Sequence, residues 1–125
     1  MGNSIKVLIG DDSALMRKSL RDILQEAGCN EIFEATNGQE AIDIYKKENP
    51  DIVFLDIVMP LCDGIEATQQ ICKHDSNAHI IIVSSVGTQS LLKNAIQSGA
   101  KDFIQKPFKS ELIKKVIYEL SGGNN

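Results

Sequence analysis

The sequence has little of what marks secreted, membrane or nucleic-acid-binding proteins. Its 125 residues include three cysteines, Cys29, Cys62 and Cys72, whose spacing fits no metal-binding motif and leaves one thiol unpaired. No apolar run approaches the roughly 20 residues that span a bilayer, and the N-terminus lacks the basic and apolar regions of a signal peptide. The net charge of −4 disfavours a nucleic-acid partner, which usually needs a basic face. These absences predict a cytoplasmic protein with reduced cysteines and no membrane insertion.

The length and composition are those of one ordinary globular domain. The chain is 42% hydrophobic and 24% charged, which is typical of a soluble fold with one core. We therefore expect a single domain over residues 1–125, with a flexible tail at residues 122–125.

Short apolar segments alternate with longer amphipathic segments along the whole chain. We expect strands at residues 6–9, 31–35, 51–55, 79–83 and 101–104. The helices between them are predicted to start at capping residues, among them Ser13, Asn37 and Ser110. The apolar helix residues predicted to point inward include Leu15, Leu92, Ile96 and Leu112.

Strands that alternate with helices imply a parallel sheet with helices on both faces. Charged and apolar residues alternate in the second strand, which suits a sheet edge, whereas the first, third and fourth strands have the apolar character of central strands. We therefore predict an α/β fold with a five-stranded parallel sheet in the order 2-1-3-4-5, a flavodoxin-like three-layer sandwich. Ligands of such folds bind beyond the carboxyl ends of the strands, where the winding direction changes between strands 1 and 3.

Polar residues follow four of the five predicted strands. Asp11 and Asp12 follow the first strand, and Asp56 follows the third. Ser84 and Lys106 follow the fourth and fifth strands. Because parallel strands end at one edge of a sheet, these side chains are expected to share one site. Three carboxylates, a hydroxyl and an ammonium predict a metal-assisted phosphoryl site in which Asp56 is the acceptor.

Three neighbouring carboxylates repel one another unless a cation compensates their charge. Mg²⁺ is the expected cation, because it binds a few carboxylates, keeps several waters and bridges to phosphate oxygens. Asp12 and Asp56 are the candidate direct ligands, with Asp11 direct or through water and a backbone carbonyl just after Asp56 as a further ligand. Lys106 provides a second positive centre, and the Ser84 hydroxyl can donate a hydrogen bond to a phosphoryl oxygen.

Each of these residues has a plainer interpretation when it is taken alone. An Asp pair after a strand often caps a helix, Asp56 could be a turn residue, and an isolated lysine is usually solvated. The functional interpretation rests on the joint pattern, in which four strand ends of one α/β unit carry complementary groups.

The motifs resemble those of bacterial response regulator receiver domains, most closely the single-domain chemotaxis regulators of the CheY type. The resemblance extends from about residue 6 to residue 120. It is carried by the segments VLIGDDS at 7–13, LDIVMP at 55–60, DG at 63–64, VSS at 83–85 and KPF at 106–108.

This resemblance implies that Asp56 accepts a phosphoryl group from the phosphohistidine of a partner histidine kinase. Mg²⁺, for which Mn²⁺ can substitute, would be held by Asp11, Asp12, Asp56 and the backbone carbonyl of Val58. Lys106 would contact the phosphoryl group, and the Lys106–Pro107 bond is expected to be cis. The chain is then a signalling switch and not an enzyme with a released product.

The resemblance also implies how the signal leaves the domain. Ser84 would move toward the phosphoryl group, and Phe103 would rotate into the space that Ser84 leaves. The face formed by helix 4, strand 5 and helix 5 would then bind a downstream target, such as the flagellar motor switch, and a phosphatase would be a further partner. The residues expected to be exposed for target binding are Lys93, Gln97, Lys101 and Lys109.

Three positions depart from common receiver patterns. Gly10 replaces the usual apolar residue before the acidic pair, which suggests a looser strand end. Val58 and Val86 lie two residues after Asp56 and Ser84, where the family's residues border the phosphoryl group and influence its hydrolysis. Two branched apolar side chains there predict a long-lived phosphoryl state.

Several alternatives remain open from the sequence. The chain could be a phosphorelay intermediate, or a receiver excised from a multidomain regulator such as a chemotaxis methylesterase. A Mg²⁺-dependent aspartyl-phosphate hydrolase of the haloacid dehalogenase type would need a second Asp where Val58 stands. A flavodoxin would need a Ser/Thr/Gly-rich phosphate loop after strand 1, and a Rossmann domain would need a G-x-G-x-x-G motif, which is absent.

Overall fold

The computed structural model describes residues 3–85 and 87–122. Val86 and residues 123–125, to which the hydrolysis and tail hypotheses refer, lie outside the described residues. Strands and helices alternate as predicted. The strands are β1 (Asn3–Gly10), β2 (Cys29–Ala35), β3 (Ile52–Leu55), β4 (Ile80–Ser84) and β5 (Asp102–Gln105). The helices are α1 (Ala14–Glu26), α2 (Gly38–Glu48), α3 (Gly64–His74), α4 (Gln89–Gln97) and α5 (Ser110–Leu120).

All five strands are parallel and form one sheet in the order β2-β1-β3-β4-β5. The predicted order is confirmed. β1 and β3 are neighbours in the sheet, and Gly10 of β1 pairs with Leu55 of β3. The residues that follow these two strands therefore emerge side by side at the carboxyl edge.

Successive side chains of the central strands enter two separate core layers, as the two-residue period of a strand requires. One layer lies between the sheet and α2, α3 and α4, and it includes Leu8, Val53, Leu55, Ile80 and Ile82 from the strands. The other lies between the sheet and α1 and α5, and it includes Val7, Ile9, Ile52, Phe54, Ile81 and Val83. The continuous apolar runs of β3 and β4 follow from this burial on both faces.

Four of the five helices start at a residue whose side chain accepts a hydrogen bond from the first turn. These residues are Ser13, Asn37, Asp63 and Thr88. The capping prediction for α5 was wrong, because Ser110 is its first helical residue and the N-cap is Lys109, which makes no side-chain cap bond. No helix among the described residues has the length and apolar character needed to cross a bilayer.

Several apolar helix residues predicted to point inward are exposed. Leu15 is 80% exposed because it lies in the first turn of α1, at the carboxyl edge of the sheet. Leu92 and Ile96 are exposed on α4, which buries only Ala95 completely, and Leu112 is exposed on α5. The apolar stripes of α4 and α5 are therefore wider than the faces that the sheet covers.

Candidate functional site

The three predicted carboxylates meet at the carboxyl edge of the sheet. Asp11 and Asp12 follow β1, and Asp56 follows β3, where its amide donates to the carbonyl of Gly10 over 2.8 Å. One carboxylate oxygen from each of the three residues lies within 4.8 Å of the others. The strand-end prediction is confirmed for this cluster.

The three carboxylates differ in their exposure. Asp11 is 2% exposed and Asp56 is 9% exposed, whereas Asp12 is exposed. Burial raises the pKa of the Asp56 carboxyl, Lys106 opposes this effect, and the charges of Asp11 and Asp12 add to it. The cluster is thus short of positive charge when it carries no cation.

Lys106 reaches the cluster from the end of β5. Its Nζ lies 2.9 Å from Asp11 Oδ2 and 3.6 Å from Asp56 Oδ2. Its backbone amide donates to the Ser84 carbonyl over 2.8 Å, which fixes the end of β5 to the end of β4. The bond from Lys106 to Pro107 is cis, as predicted. The site thus holds three carboxyl groups and one amino group, a set of oxygen ligands that suits a hard divalent cation.

The two predicted switch residues lie on neighbouring strands. Ser84 is buried at the end of β4. Phe103 of β5 pairs with Ile82 of β4 and is partly buried against the core layer under α2, α3 and α4. Ser84 is paired with Gln105. Phe103 is therefore two residues farther from the carboxyl edge of the sheet than the residue that pairs with Ser84.

The loop after β3 is held closely against the site. Gly64 starts α3, its amide donates to the Ile57 carbonyl over 2.9 Å, and a Cβ at Gly64 would collide with the Asp56 carbonyl oxygen. Val58, two residues after Asp56, is 63% exposed. Leu61 adopts a left-handed conformation with φ of 68° and is exposed.

Gly10 does not leave a hole at the end of β1. A Cβ there would lie 2.5 Å from Leu55 Cδ2, and Ala41 Cβ and Met59 Sδ are also close. The Leu55 side chain thus occupies the space that a larger residue would take. The glycine is buried and fully paired in the sheet, so the expectation of a looser strand end is not supported.

The sequence interpretation missed a charged network beside the acidic cluster. Arg17 of α1 donates to the Asp11 carbonyl over 2.8 Å through Nη1, and its Nε donates to Glu34 over 2.9 Å. Arg21 donates to the other Glu34 oxygen over 2.7 Å. The four-residue spacing of Arg17 and Arg21 on one helix, opposite an acidic residue of the edge strand, is the signal that could have revealed it.

Comparisons with known proteins agree on one family. Residues 7–118 match the family described as response regulator receiver domain. The chain is 47% identical over 116 residues to the chemotaxis protein CheY of Thermotoga maritima, covering 93% of this chain and 97% of that protein. It is 46% identical to CheY of Bacillus subtilis over 112 residues, covering 90% and 93%.

A solved structure gives the same result. The structure described as the CheX-CheY-BeF3-Mg+2 complex from Borrelia burgdorferi is similar with a TM-score of 0.87 and 39% sequence identity. The match covers 93% of this chain and 88% of that chain.

Proposed function

The chain belongs to the response regulator receiver domain family, and from this premise we propose that it is a phosphorylation-dependent switch in chemotaxis whose acceptor is Asp56. The observation that carries the proposal is the cluster of Asp11, Asp12 and Asp56 with Lys106 against it. Asp56 Oδ2 lies 3.6 Å from the Lys106 ammonium, which would neutralise an incoming phosphoryl group.

The donor set of the cluster fits Mg²⁺. Asp12 and Asp56, with Asp11 directly or through water, would supply carboxylate oxygens, and the Val58 carbonyl would supply a backbone oxygen. When bound, the ion supplies positive charge to the carboxylates and to the phosphoryl oxygens. Mn²⁺, which also prefers oxygen ligands, would fit the same residues.

The proposed reaction is a displacement at phosphorus. An Asp56 oxygen attacks the phosphorus of a phosphohistidine, the new O–P bond forms as the N–P bond breaks, and the imidazole leaves with its electron pair. Lys106 is positioned to move its ammonium from Asp11 onto the transferred group, because both carboxylates are already within 4 Å of it. The protein must also orient the acceptor. The hydrogen bond from the Asp56 backbone amide to the Gly10 carbonyl helps to hold Asp56 in place.

We propose that the signal leaves through Ser84 and Phe103 to the face made by α4, β5 and α5. This face carries exposed apolar side chains on α4 and α5, namely Leu92, Ile96 and Leu112. Lys93, Gln97, Lys101 and Lys109 are exposed on or beside the same elements. Exposed apolar residues bordered by lysines suit a protein target with an apolar core contact and acidic surroundings.

The partners follow from the same proposal. A cytoplasmic histidine kinase would donate the phosphoryl group, and a protein such as the flagellar motor switch would be the target. A dedicated phosphatase is also proposed as a partner. Residues 1–125 would act as one domain without nucleic acid or membrane insertion, as a switch and not as an enzyme.

The switch can be tested with the phosphoryl analogue beryllofluoride. We expect BeF₃⁻ with Mg²⁺ to bind the wild type, seen as a bound ¹⁹F signal, and to shift the amide resonances of α4, β5 and α5. The Asp56→Asn variant should show neither effect, although it remains folded. A bound signal that persists in Asp56→Asn would contradict Asp56 as the acceptor, and binding without shifts in α4, β5 and α5 would contradict the proposed output face.

A further inference from the structure

The peptide bond between Asp11 and Asp12 is held by an arginine from outside the acidic cluster. Arg17 Nη1 donates to the Asp11 carbonyl oxygen over 2.8 Å. On the other side of the residue, the Asp11 amide donates to the Ala35 carbonyl over 3.1 Å. Both carboxylate oxygens of Asp11 also accept hydrogen bonds, from the Ser13 amide and from Lys106. Asp11 is thus fixed through its backbone and its side chain.

Arg17 is itself fixed by the edge strand. Its Nε donates to Glu34 Oε1 over 2.9 Å, and its side chain is 15% exposed. Arg21 donates to Glu34 Oε2 over 2.7 Å and to the Ile32 carbonyl over 3.1 Å, which holds the glutamate in place. A guanidinium held at one end by a carboxylate has little freedom to leave the carbonyl at its other end.

The position of the Asp12 side chain depends on this arrangement more than those of Asp11 and Asp56 do. Within residues 3–85 and 87–122, its carboxylate makes no hydrogen bond, whereas those of Asp11 and Asp56 do. The Asp11 carbonyl and the Asp12 amide belong to one planar peptide unit. Fixing the carbonyl therefore fixes the plane from which the Asp12 side chain departs toward the cluster.

We propose that Arg17 is a positioning residue for divalent-cation binding, acting on Asp12 through the Asp11–Asp12 peptide. The inference rests on the proposed function, since it concerns the same cation site. Arg17 contacts the backbone carbonyl of Asp11, but among the described residues the only carboxylate that it pairs with is Glu34, so its effect on the cation ligands is indirect. Groups that orient metal ligands in this way typically change metal affinity by about 10-fold or more when they are removed.

Arg21 provides a matched control. It pairs with the same glutamate and has its own backbone carbonyl contact, but that contact is to Ile32 in the middle of β2. Arg21→Met removes an arginine from the network and leaves the Arg17 bond to Asp11 in place. Arg17→Met removes the bond to Asp11 and leaves the Arg21 pair with Glu34.

The test is a calorimetric Mg²⁺ titration of the full chain, with urea unfolding of each variant in EDTA. We expect Arg17→Met to raise the Mg²⁺ dissociation constant roughly 10-fold, and Arg21→Met to change it less than about two-fold. Arg17→Lys keeps a donor and a charge, so its dissociation constant should fall between those of the wild type and Arg17→Met. Unfolding should show similar losses of stability for Arg17→Met and Arg21→Met.

Equal Mg²⁺ affinity in Arg17→Met and Arg21→Met would overturn the proposal, because the network would then be only a tether between α1 and β2. If Arg17→Met does not fold, Arg17→Lys decides, and wild-type affinity together with an unshifted Asp12 amide resonance in that variant would overturn it. Failure of the proposed function has a different signature, since the wild type itself would then bind no Mg²⁺.

Discussion

Lys106 and Asp11 form an ion pair with 2.9 Å between Nζ and Oδ2, although 95 positions separate them in the chain. The pair is almost enclosed, with the Asp11 side chain 3% exposed. The ammonium thereby supplies part of the positive charge that three neighbouring carboxylates need. The ion pair between Lys106 and Asp11 is also the contact that an incoming phosphoryl group would replace.

The first prediction concerns the loss of this ammonium. Lys106→Met should lower the free energy of unfolding in EDTA by about 1–3 kcal/mol, because a buried carboxylate loses its charged partner. Saturating Mg²⁺ should reduce that loss, since the cation neutralises the same carboxylates. Urea unfolding with and without Mg²⁺ measures both values.

A lysine outside the site provides the control for this prediction. Lys114 pairs with Glu26 over 2.8 Å, and both side chains are well exposed. Lys114→Met should cost less than about 1 kcal/mol, with or without Mg²⁺. A Mg²⁺-independent loss in Lys106→Met would mean that the ammonium does not compensate the cation ligands.

The second prediction concerns pH and the network around Glu34. Burial opposes ionisation of Glu34, but the hydrogen bonds and charges of Arg21 and Arg17 outweigh it and lower its pKa from 4.5. A lowered pKa in the folded state stabilises the protein above pH 4.5, and this stabilisation is lost as pH falls through the lowered value. Glu34→Gln should therefore cost about 1 kcal/mol at pH 7 and progressively less below pH 4.5. Unfolding of both proteins from pH 7 to pH 3 checks this, and a constant difference would contradict it.

The third prediction concerns the close approach of Gly64 to Asp56. A Cβ at Gly64 would strike the Asp56 carbonyl, which is backbone and cannot move aside cheaply. Gly64→Ala should lower the free energy of unfolding by about 2–3 kcal/mol and weaken Mg²⁺ binding, because the loop that carries Val58 must shift. Thermal unfolding and a Mg²⁺ titration measure the two effects.

Gly10→Ala is the comparison for that variant. Its Cβ would meet the Leu55 side chain, whose end can rotate away, so the cost should be nearer about 1 kcal/mol. Mg²⁺ affinity should be almost unchanged in Gly10→Ala. Equal effects at the two glycines would show that the Gly64 contact has no special part in placing Asp56.

The fourth prediction concerns the lifetime of the phosphoryl state. Val58 presents a branched apolar side chain two residues after the proposed acceptor, and this should hinder an attacking water. Val58→Asn should raise the rate of autodephosphorylation several-fold, measured by the decay of the phosphorylated mass at fixed Mg²⁺. Leu61→Asn removes another exposed apolar side chain from the same loop and should leave the rate unchanged. An unaltered rate in Val58→Asn would leave the hydrolysis hypothesis without support from this position.

The fold and the acidic cluster were predictable because local patterns determine them. The run 52–55 has no polar position, so it must be buried on both faces, and a parallel sheet brings its end beside the end of β1. Asp11, Asp12 and Asp56 then meet regardless of the details of packing. The prediction needed only strand direction and order.

Features that depend on tertiary packing escaped the sequence interpretation. The periodicity of α1 includes Leu15, but periodicity cannot show that the first turn of α1 lies beyond the sheet. The contact of Arg17 with the Asp11 carbonyl depends on how α1 crosses the end of β1. Lys106 was expected at a phosphoryl group, and its pairing with Asp11 depends on a side-chain conformation that the sequence does not determine.

The central claim is that Asp56 itself becomes phosphorylated, and mapping the modified residue tests it most directly. The wild type is incubated with acetyl phosphate and Mg²⁺, reduced with borohydride and digested for tandem mass spectrometry. Borohydride converts an aspartyl phosphate to homoserine, so we predict homoserine at position 56, dependent on Mg²⁺ and absent from Asp56→Asn. Homoserine at Asp11 or Asp12, or no adduct on folded wild type that binds Mg²⁺, would contradict the account.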